Sequence, residues 1–381
     1  MKIVGIETFL APPRWLFCRI ETDEGIVGWG EPVVEGRAET VRAAVQEMSD
    51  YLVGQDASRI EDHWQVLSKG GFYRGGPVLS SAVAGIDQAL WDIAGKQLGV
   101  PVHTLLGGHV RDSVRVYAWV GGDEAGQLRE GIQAQIEAGF TAVKLNACGR
   151  MEPLSNPAAL TAVVDRAVLA RETLGPERDF AIDFHGRVGV GDAARLLRLL
   201  EPTQPLFVEE AVLPEHARQL PALVAASTVP LAMGERCYGR QDFVGPLQDG
   251  LRVVQPDVSH AGGISEMRRI ATLADTWGAL LAPHCPLGPI ALAASLQVAF
   301  ATPNLLIQEQ SLGIHYHVDN DLLDYLVDPS VFTFRGGYVD RPVLPGLGIA
   351  VDEEAVRAAD RAGHRWRSPV WRRSDGSFAE W

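Results

Sequence analysis

The 381-residue sequence predicts an α/β fold in two parts: a closed parallel barrel of alternating strands and helices, preceded by a smaller α+β unit. Three observations carry that expectation. The chain is too long for one ordinary domain and suits a barrel of about 250 residues with a companion. From Val116 onward, short apolar runs alternate with helical stretches in units of about 25 residues. Hydrophobic residues make up 46% of the chain, so a large core needs neither disulfides nor a structural metal.

Residues 1 to about 30 alternate and turn like antiparallel strands, with Asp23-Glu24-Gly25 as the hairpin between RWLFCRIET and GIVGWGEP. Helical patterns follow over 37–52 and 78–97, the second placing Val83, Ile86, Leu90 and Ile93 on one face. These elements make a capping α+β domain over residues 1–114. The barrel is expected over 115–340, with strands at 115–119, 142–146, 180–185, 206–210, 230–235, 252–258, 279–284 and 304–309. No clear helix pattern follows residue 310, which points to a barrel with one helix fewer than strands, (β/α)7β. The tail, 341–381, is rich in Pro, Trp and Arg and is expected to pack back on the capping domain.

With 34 basic and 48 acidic residues the formal charge is −14, which argues against a nucleic-acid surface and leaves no polybasic membrane anchor. An anionic substrate would then need a local positive centre, and a bound cation could supply one. Glu7 and Pro12-Pro13 interrupt the first residues before any signal-peptide core forms, and no run of 18 uncharged apolar residues follows, so a cytoplasmic location is expected. The four cysteines, Cys18, Cys148, Cys237 and Cys285, are scattered without C-x-x-C spacing and read as free thiols.

In such a barrel the chemistry sits at the C-terminal ends of the strands. Asp183, Glu209 and Glu235 end the third, fourth and fifth runs, each 26 residues from the next, which places three hard oxygen donors at one height on neighbouring strands. That set, with room for water and substrate, suits Mg²⁺. A single acid at a strand end is more often solvated or helix-capping; it is the register of three that favours ligands. Of the adjacent pair Glu209-Glu210, only one can face inward from a strand, which leaves Glu210 a supporting contact. His185, two residues past Asp183, should share its face, with a structural role in the barrel mouth as the alternative.

Asp257 and His284 end the sixth and seventh runs and could meet as a carboxylate–imidazole pair, raising the basicity of the free ring nitrogen; the alternative is Asp257 capping the turn before SHAGG. Glu309 ends the eighth run, where it could hydrogen-bond a developing enolate oxygen if protonated. Lys144 and Asn146 share one face of the second strand and should flank the pocket, though Lys144 in a barrel-layer salt bridge is the competing reading. The loops APPRWLF, with Arg14, and KGGFYRGGP, with Lys69, Tyr73 and Arg74, look like mobile coverings able to meet hydroxyls or a carboxylate. Gly262-Gly263 read as strand-to-helix geometry and not as a phosphate cradle.

A metal gripping a substrate carboxylate lowers the cost of removing the α-proton. His284 steadied by Asp257 fits the base, and protonated His185 fits the acid that assists a departing β-hydroxyl, giving a 2-keto-3-deoxy acid from a polyhydroxy acid.

At these residues the chain resembles the enolase superfamily, in the mandelate racemase and muconate lactonizing enzyme group. The resemblance runs over essentially the whole length, through PPRWLF (12–17), GFYRGGP (71–77), SAVAGIDQALWDIAGK (81–96), YAWVGGD (117–123), DFHGRV (183–188), QPDVSHAGGI (255–264), APHCPLGPIALAA (282–294), IQEQSLGIHY (307–316) and WRRSDGSFAEW (371–381). It implies an enolase-like capping domain on a modified TIM barrel, Mg²⁺ on Asp183, Glu209 and Glu235, and a sugar acid as substrate. It further implies D-galactonate as that acid, His284-Asp257 taking the C2 proton, His185 assisting loss of the C3 hydroxyl, and a homo-oligomer, often an octamer. Another sugar acid is the alternative substrate; an epimerase or racemase of the same superfamily is a more distant one, and a non-enzymatic barrel would have lost some of these groups. Two departures stand out. Where racemases of the group carry Lys-x-Lys on the second strand, this chain has Lys144-Leu145-Asn146, which counts against racemisation. Where relatives usually have Pro after the Glu-Glu pair, it has Ala211, which bears on substrate preference.

Overall fold

The computed structural model describes residues 1–121, 125–314, 317 and 319–381. The ends of two matching stretches, Gly122-Asp123 and His315-Tyr316, lie outside the described residues. The chain opens with an antiparallel sheet of β1 (Ile3–Ala11), β2 (Trp15–Thr22) and β3 (Val27–Gly30). The β2–β3 hairpin turns at the expected Asp23-Glu24-Gly25, where Gly25 takes φ 76°. Helices α1 (Ala38–Leu52), α2 (Ile60–Lys69), α3 (Gly76–Leu98) and α4 (Val102–Leu105) follow. The apolar pattern foresees α1 and α3; α2 is too short and mixed to stand out.

Helix α3 is buried on nearly every face because it is sandwiched between β3 and the barrel. Glycine makes that contact close: a Cβ on Gly30 would stand 1.8 Å from the Gly85 carbonyl oxygen, so neither strand nor helix could approach with a larger residue there.

The barrel alternates β4 (Ser113–Val120), α5 (Ala125–Glu137), β5 (Ala142–Asn146), α6 (Pro157–Leu174), β6 (Asp179–Asp183), α7 (Val190–Leu200), β7 (Val208–Glu209) and α8 (Leu220–Val224). It continues with β8 (Leu231–Met233), α9 (Arg240–Gln248), β9 (Val253–Val254), α10 (Gly263–Thr276), β10 (Leu280–Leu281), α11 (Pro289–Ala301) and β11 (Gln308–Glu309). Neighbours pair in parallel, and β11 closes on β4 through Gln308–Val116 and Glu309–Tyr117. A bridge from Leu281 to Leu305 joins the last two strands, so the barrel is (β/α)7β, as expected. The later strands are shorter than the apolar runs because their ends bend into turns, yet single backbone bonds such as Ala282 N–H to Val254 O (3.0 Å) keep the register.

A layer of Tyr117, Ala142, Ala181, Phe207, Ala232, Val253, Ala282 and Ile307 fills the barrel below the mouth, with two aromatics set among small residues. After the barrel, β12 (Phe334–Arg335) and β13 (Tyr338–Asp340) form a hairpin that adds antiparallel to the start of β4. Helix α12 (Glu353–Ala362) lies against β1, where Arg357 meets Glu7 at 2.8 Å. The ribbon of β14 (Trp371–Arg372) and β15 (Phe378–Ala379) reaches the loop after β5 instead, with Arg373 Nε donating to the Met151 carbonyl at 3.4 Å. Among the described residues no helix is long and apolar enough to cross a membrane.

Candidate active site

The strand ends converge on a cavity of about 1070 Å³ at the C-terminal mouth of the barrel. Parallel pairing in register makes the convergence: Asn146 stands opposite Asp183, and Asp183 opposite Glu209. Glu235 lies two residues beyond β8, and a backbone bridge between Asp257 and His284 prolongs β9 and β10. Glu309 ends β11 beside Tyr117.

Lys144 is the electrostatic centre. Its ammonium meets both Glu209 oxygens, at 2.9 and 2.7 Å, and Glu309 Oε1 at 2.9 Å, and it lies 5.2 Å from the Trp119 ring centroid. Burial alone would lower its pKa, but Glu209 and Glu309 hold it well above the usual lysine range. Burial also pushes Glu209 up to about 8; Lys144 opposes the shift, while Asp183, Glu309 and Glu235 reinforce it. The second Glu309 oxygen accepts from the Cys285 N–H at 2.8 Å, so both of its oxygens act as acceptors.

Two imidazoles stand on carboxylates. His284 Nδ1–H donates to Asp257 Oδ2 at 2.8 Å, and its Nε2 lies 3.0 Å from Glu235 Oε2. Burial disfavours the charged ring, but Glu309, Glu235 and Asp257 overcome it and raise the His284 pKa well above the usual value. His185 Nδ1–H donates to Asp183 Oδ2 at 3.0 Å, and there too burial is outweighed by the carboxylates, Asp183 first, so the pKa is raised. Asp257 also faces His260, whose Nε2 is 3.8 Å from Oδ2.

The local backbone differs from a simple pleat. β6 ends at Asp183, and His185 takes φ 53°, so it reaches Asp183 through a left-handed turn; its own N–H donates to Asp183 Oδ1 at 2.6 Å. Glu210 likewise takes φ 49° and is buried with no hydrogen-bond partner for either carboxylate oxygen, Arg236 Nε being 3.3 Å from Oε2. Ala211 permits this conformation, which a following proline would push toward extended backbone.

Asn146 and Arg14 line the cavity. The Asn146 Oδ1 is buried without a partner, and Arg14 bonds Glu35 (2.8 Å) and the Pro286 carbonyl (3.3 Å). Tyr73, 86% exposed, and Arg74, which donates to the Gly71 carbonyl, stand away from the cavity; Lys69 packs over Trp64. Gly262 caps α10 in a left-handed conformation, and Asp87 takes the helix N-terminus where a phosphate would sit. The cavity also gathers Trp119, Arg187, Tyr238, His260, Trp371 and Trp381, which no periodic signal marks in the sequence. Among the described residues, no three or more His, Cys, Asp or Glu side chains converge as they stand on one metal position.

A seven-helix barrel, capped by an α+β domain and carrying buried carboxylates and carboxylate-held imidazoles at its mouth, defines a capped-barrel enzyme equipped for proton transfer. Residues 10–107 match the mandelate racemase / muconate lactonizing enzyme N-terminal domain, and residues 127–355 match the enolase C-terminal domain-like family. The chain therefore belongs to the mandelate racemase / muconate lactonizing enzyme family of the enolase superfamily. It is 53% identical, across the whole of both chains, to the D-galactonate dehydratases of Ralstonia nicotianae and Pectobacterium atrosepticum. A solved enolase from Agrobacterium radiobacter, bound to Na and L-malate, is 33% identical with a TM-score of 0.91, covering 100% of each chain. A member of the enolase superfamily from Salmonella Typhimurium is 28% identical with a TM-score of 0.84, covering 93% of this chain and 97% of the other.

Proposed function

We propose that this enzyme dehydrates D-galactonate to 2-dehydro-3-deoxy-D-galactonate and water, with Mg²⁺ as cofactor. The carrying observation is the pair of histidines on separate carboxylates, His284 on Asp257 at 2.8 Å and His185 on Asp183 at 3.0 Å, flanking one acidic cluster. Full-length identity of 53% to D-galactonate dehydratases supports the choice of substrate.

The donor chemistry fits a hard divalent ion. Asp183 and Glu209 are buried and Glu235 nearly so, and a side-chain cation meets each one: His185, Lys144 and His284 respectively. These three carboxylates would hold Mg²⁺ once Glu209 and Glu235 turn from those partners. When bound, the ion supplies charge that lowers the cost of the dianion formed as C2 loses its proton.

In this reading Glu235, once turned away from Nε2, no longer holds His284 charged; the neutral ring keeps its proton on Nδ1 against Asp257, so Nε2 is the atom that takes the C2 proton. His185, held charged by Asp183, gives its proton to the C3 hydroxyl, which departs as water with the C–O electron pair. The enol left between C2 and C3 then takes a proton at C3 and becomes the ketone, with no net oxidation. Lys144 is committed to Glu209 and Glu309, which favours this chemistry over a racemase with a lysine base. The test is a screen of sugar acids with Mg²⁺, D-galactonate beside its epimers, scored for 2-keto-3-deoxy product. Release of that product from an epimer alone, or none from any acid, would overturn the reading.

A further inference from the structure

We propose that Arg187 binds the hydroxyl oxygens of the substrate's carbon chain beyond the two reacting carbons, with Trp371 as the positioning residue that holds its guanidinium in place. The inference deepens the reading above and rests on it.

Arg187 follows His185 by two residues, in the turn after β6, and lines the cavity. One donor is used: Nη1 donates to the Cys148 carbonyl at 2.8 Å. The guanidinium carbon lies 4.7 Å from the Trp371 ring centroid, a cation–π contact that restrains the group on the cavity wall. Nε is buried and has no partner. Among the described residues no carboxylate comes within ion-pair distance of it, although the same cavity holds Asp183, Glu235 and Glu309. Lys144, Arg14 and Arg236 in that cavity each have a carboxylate, at 2.7, 2.8 and 3.3 Å.

A half-buried cation with unused N–H groups is costly unless something arrives to accept from them. The ring's support is itself anchored. The β14–β15 ribbon is tied to the loop after β5 by Arg150, which donates to the Arg372 carbonyl, and by Arg373, which donates to the Met151 carbonyl. The acid end of the substrate is claimed by the carboxylate cluster and C3 by His185. The oxygens left to meet a guanidinium beside His185 are those further along the chain, and a hydroxyl accepts from N–H without bringing charge.

A purely structural Arg187, pinning the ribbon to the barrel, would affect all substrates alike; a reader of the distal hydroxyls would not. The experiment compares kcat and KM for D-galactonate with those for 2,3-dihydroxybutanoate of the same C2 and C3 configuration, a short acid with no hydroxyl beyond C3. Arg187→Met is expected to lower kcat/KM for D-galactonate about 10–100-fold, mainly through KM, and to leave the short acid within about three-fold. Arg187→Lys, which keeps the charge but not the fork, is expected to show the same length dependence and covers the case in which the methionine variant does not fold. Trp371→Ala should follow Arg187→Met, and Trp371→Phe should restore most of the loss. Equal losses on both acids, or none on D-galactonate, overturn the subsite alone. A wild type inactive on D-galactonate overturns the substrate assignment and the subsite with it.

Discussion

His284 Nε2 lies 3.0 Å from Glu235 Oε2, so the proposed base and a proposed metal ligand hold each other. The other ring nitrogen is fixed by Asp257 at 2.8 Å, and in the proposed mechanism this bond leaves Nε2 to take the proton. Asp257→Asn keeps the size of the group but lets its amide favour the wrong tautomer. The expected outcome is a fall in kcat of about 10²–10⁴-fold, with KM and the circular dichroism spectrum little changed. A variant within a few-fold of wild type would remove Asp257 from the mechanism.

The two histidines should separate by isotope exchange. His284→Asn is expected to abolish both dehydration and exchange of the C2 hydrogen with D₂O. His185→Asn should abolish dehydration while still washing deuterium into C2 of recovered substrate, because the base is intact and only the leaving group lacks its proton. Both variants should retain Mg²⁺ binding, measured by calorimetry. Exchange surviving in His284→Asn would reverse the assignment.

Removal of divalent ions by chelation is expected to stop turnover and Mg²⁺ to restore it. Because the ion would bind the folded chain only, a concentration near 100 times its Kd should add about 2.7 kcal/mol of stability, read as a rise in Tm. Asp183→Asn should lose that rise. Turnover indifferent to chelation would end the metal reading.

Much of the frame is written in the sequence because it depends on repetition. The 26-residue spacing of Asp183, Glu209 and Glu235 is one strand plus one helix, and registered parallel pairing turns it into proximity. Contacts that rest on backbone handedness are not legible in this way. The left-handed turn at Glu210 carries no glycine or asparagine to announce it, and at His185 the only glycine, Gly186 with φ 65°, comes one residue later. Nor does any local pattern connect Trp371 with Arg187, which lie far apart in the chain and meet only because the tail crosses to the barrel mouth. The loop with Tyr73 and Arg74 shows the converse: its glycines and polar tips suggest a covering, yet its side chains stay in solvent, since the composition of a loop does not fix its direction.

The join between capping domain and barrel should be sensitive to pH through Glu31. This carboxylate follows β3, is fully buried, and accepts from the Gly288 and Ala291 N–H groups at 2.7 and 2.9 Å, at the N-terminus of α11. Burial pushes its pKa up to about 8 despite those bonds. Asp87 does the same at α10, where burial raises it to about 7 while Ser265 donates to it. An acid raised in the folded state keeps a proton that the unfolded chain gives up near pH 4.5. Its contribution is therefore full below that pH and is lost as pH rises toward 8, at about 1.4 kcal/mol per unit for one group. In Glu31→Gln this slope disappears. At pH 5 the neutral acid and the amide each offer one good acceptor oxygen, so the two proteins should differ by no more than about 1 kcal/mol, and the variant should become the more stable of the two as pH rises toward 8. Thermal unfolding of the two proteins across pH 5–8 measures it, ionisations common to both cancelling in the difference. Parallel Tm curves over that range would mean that Glu31 is ionised in the folded protein throughout.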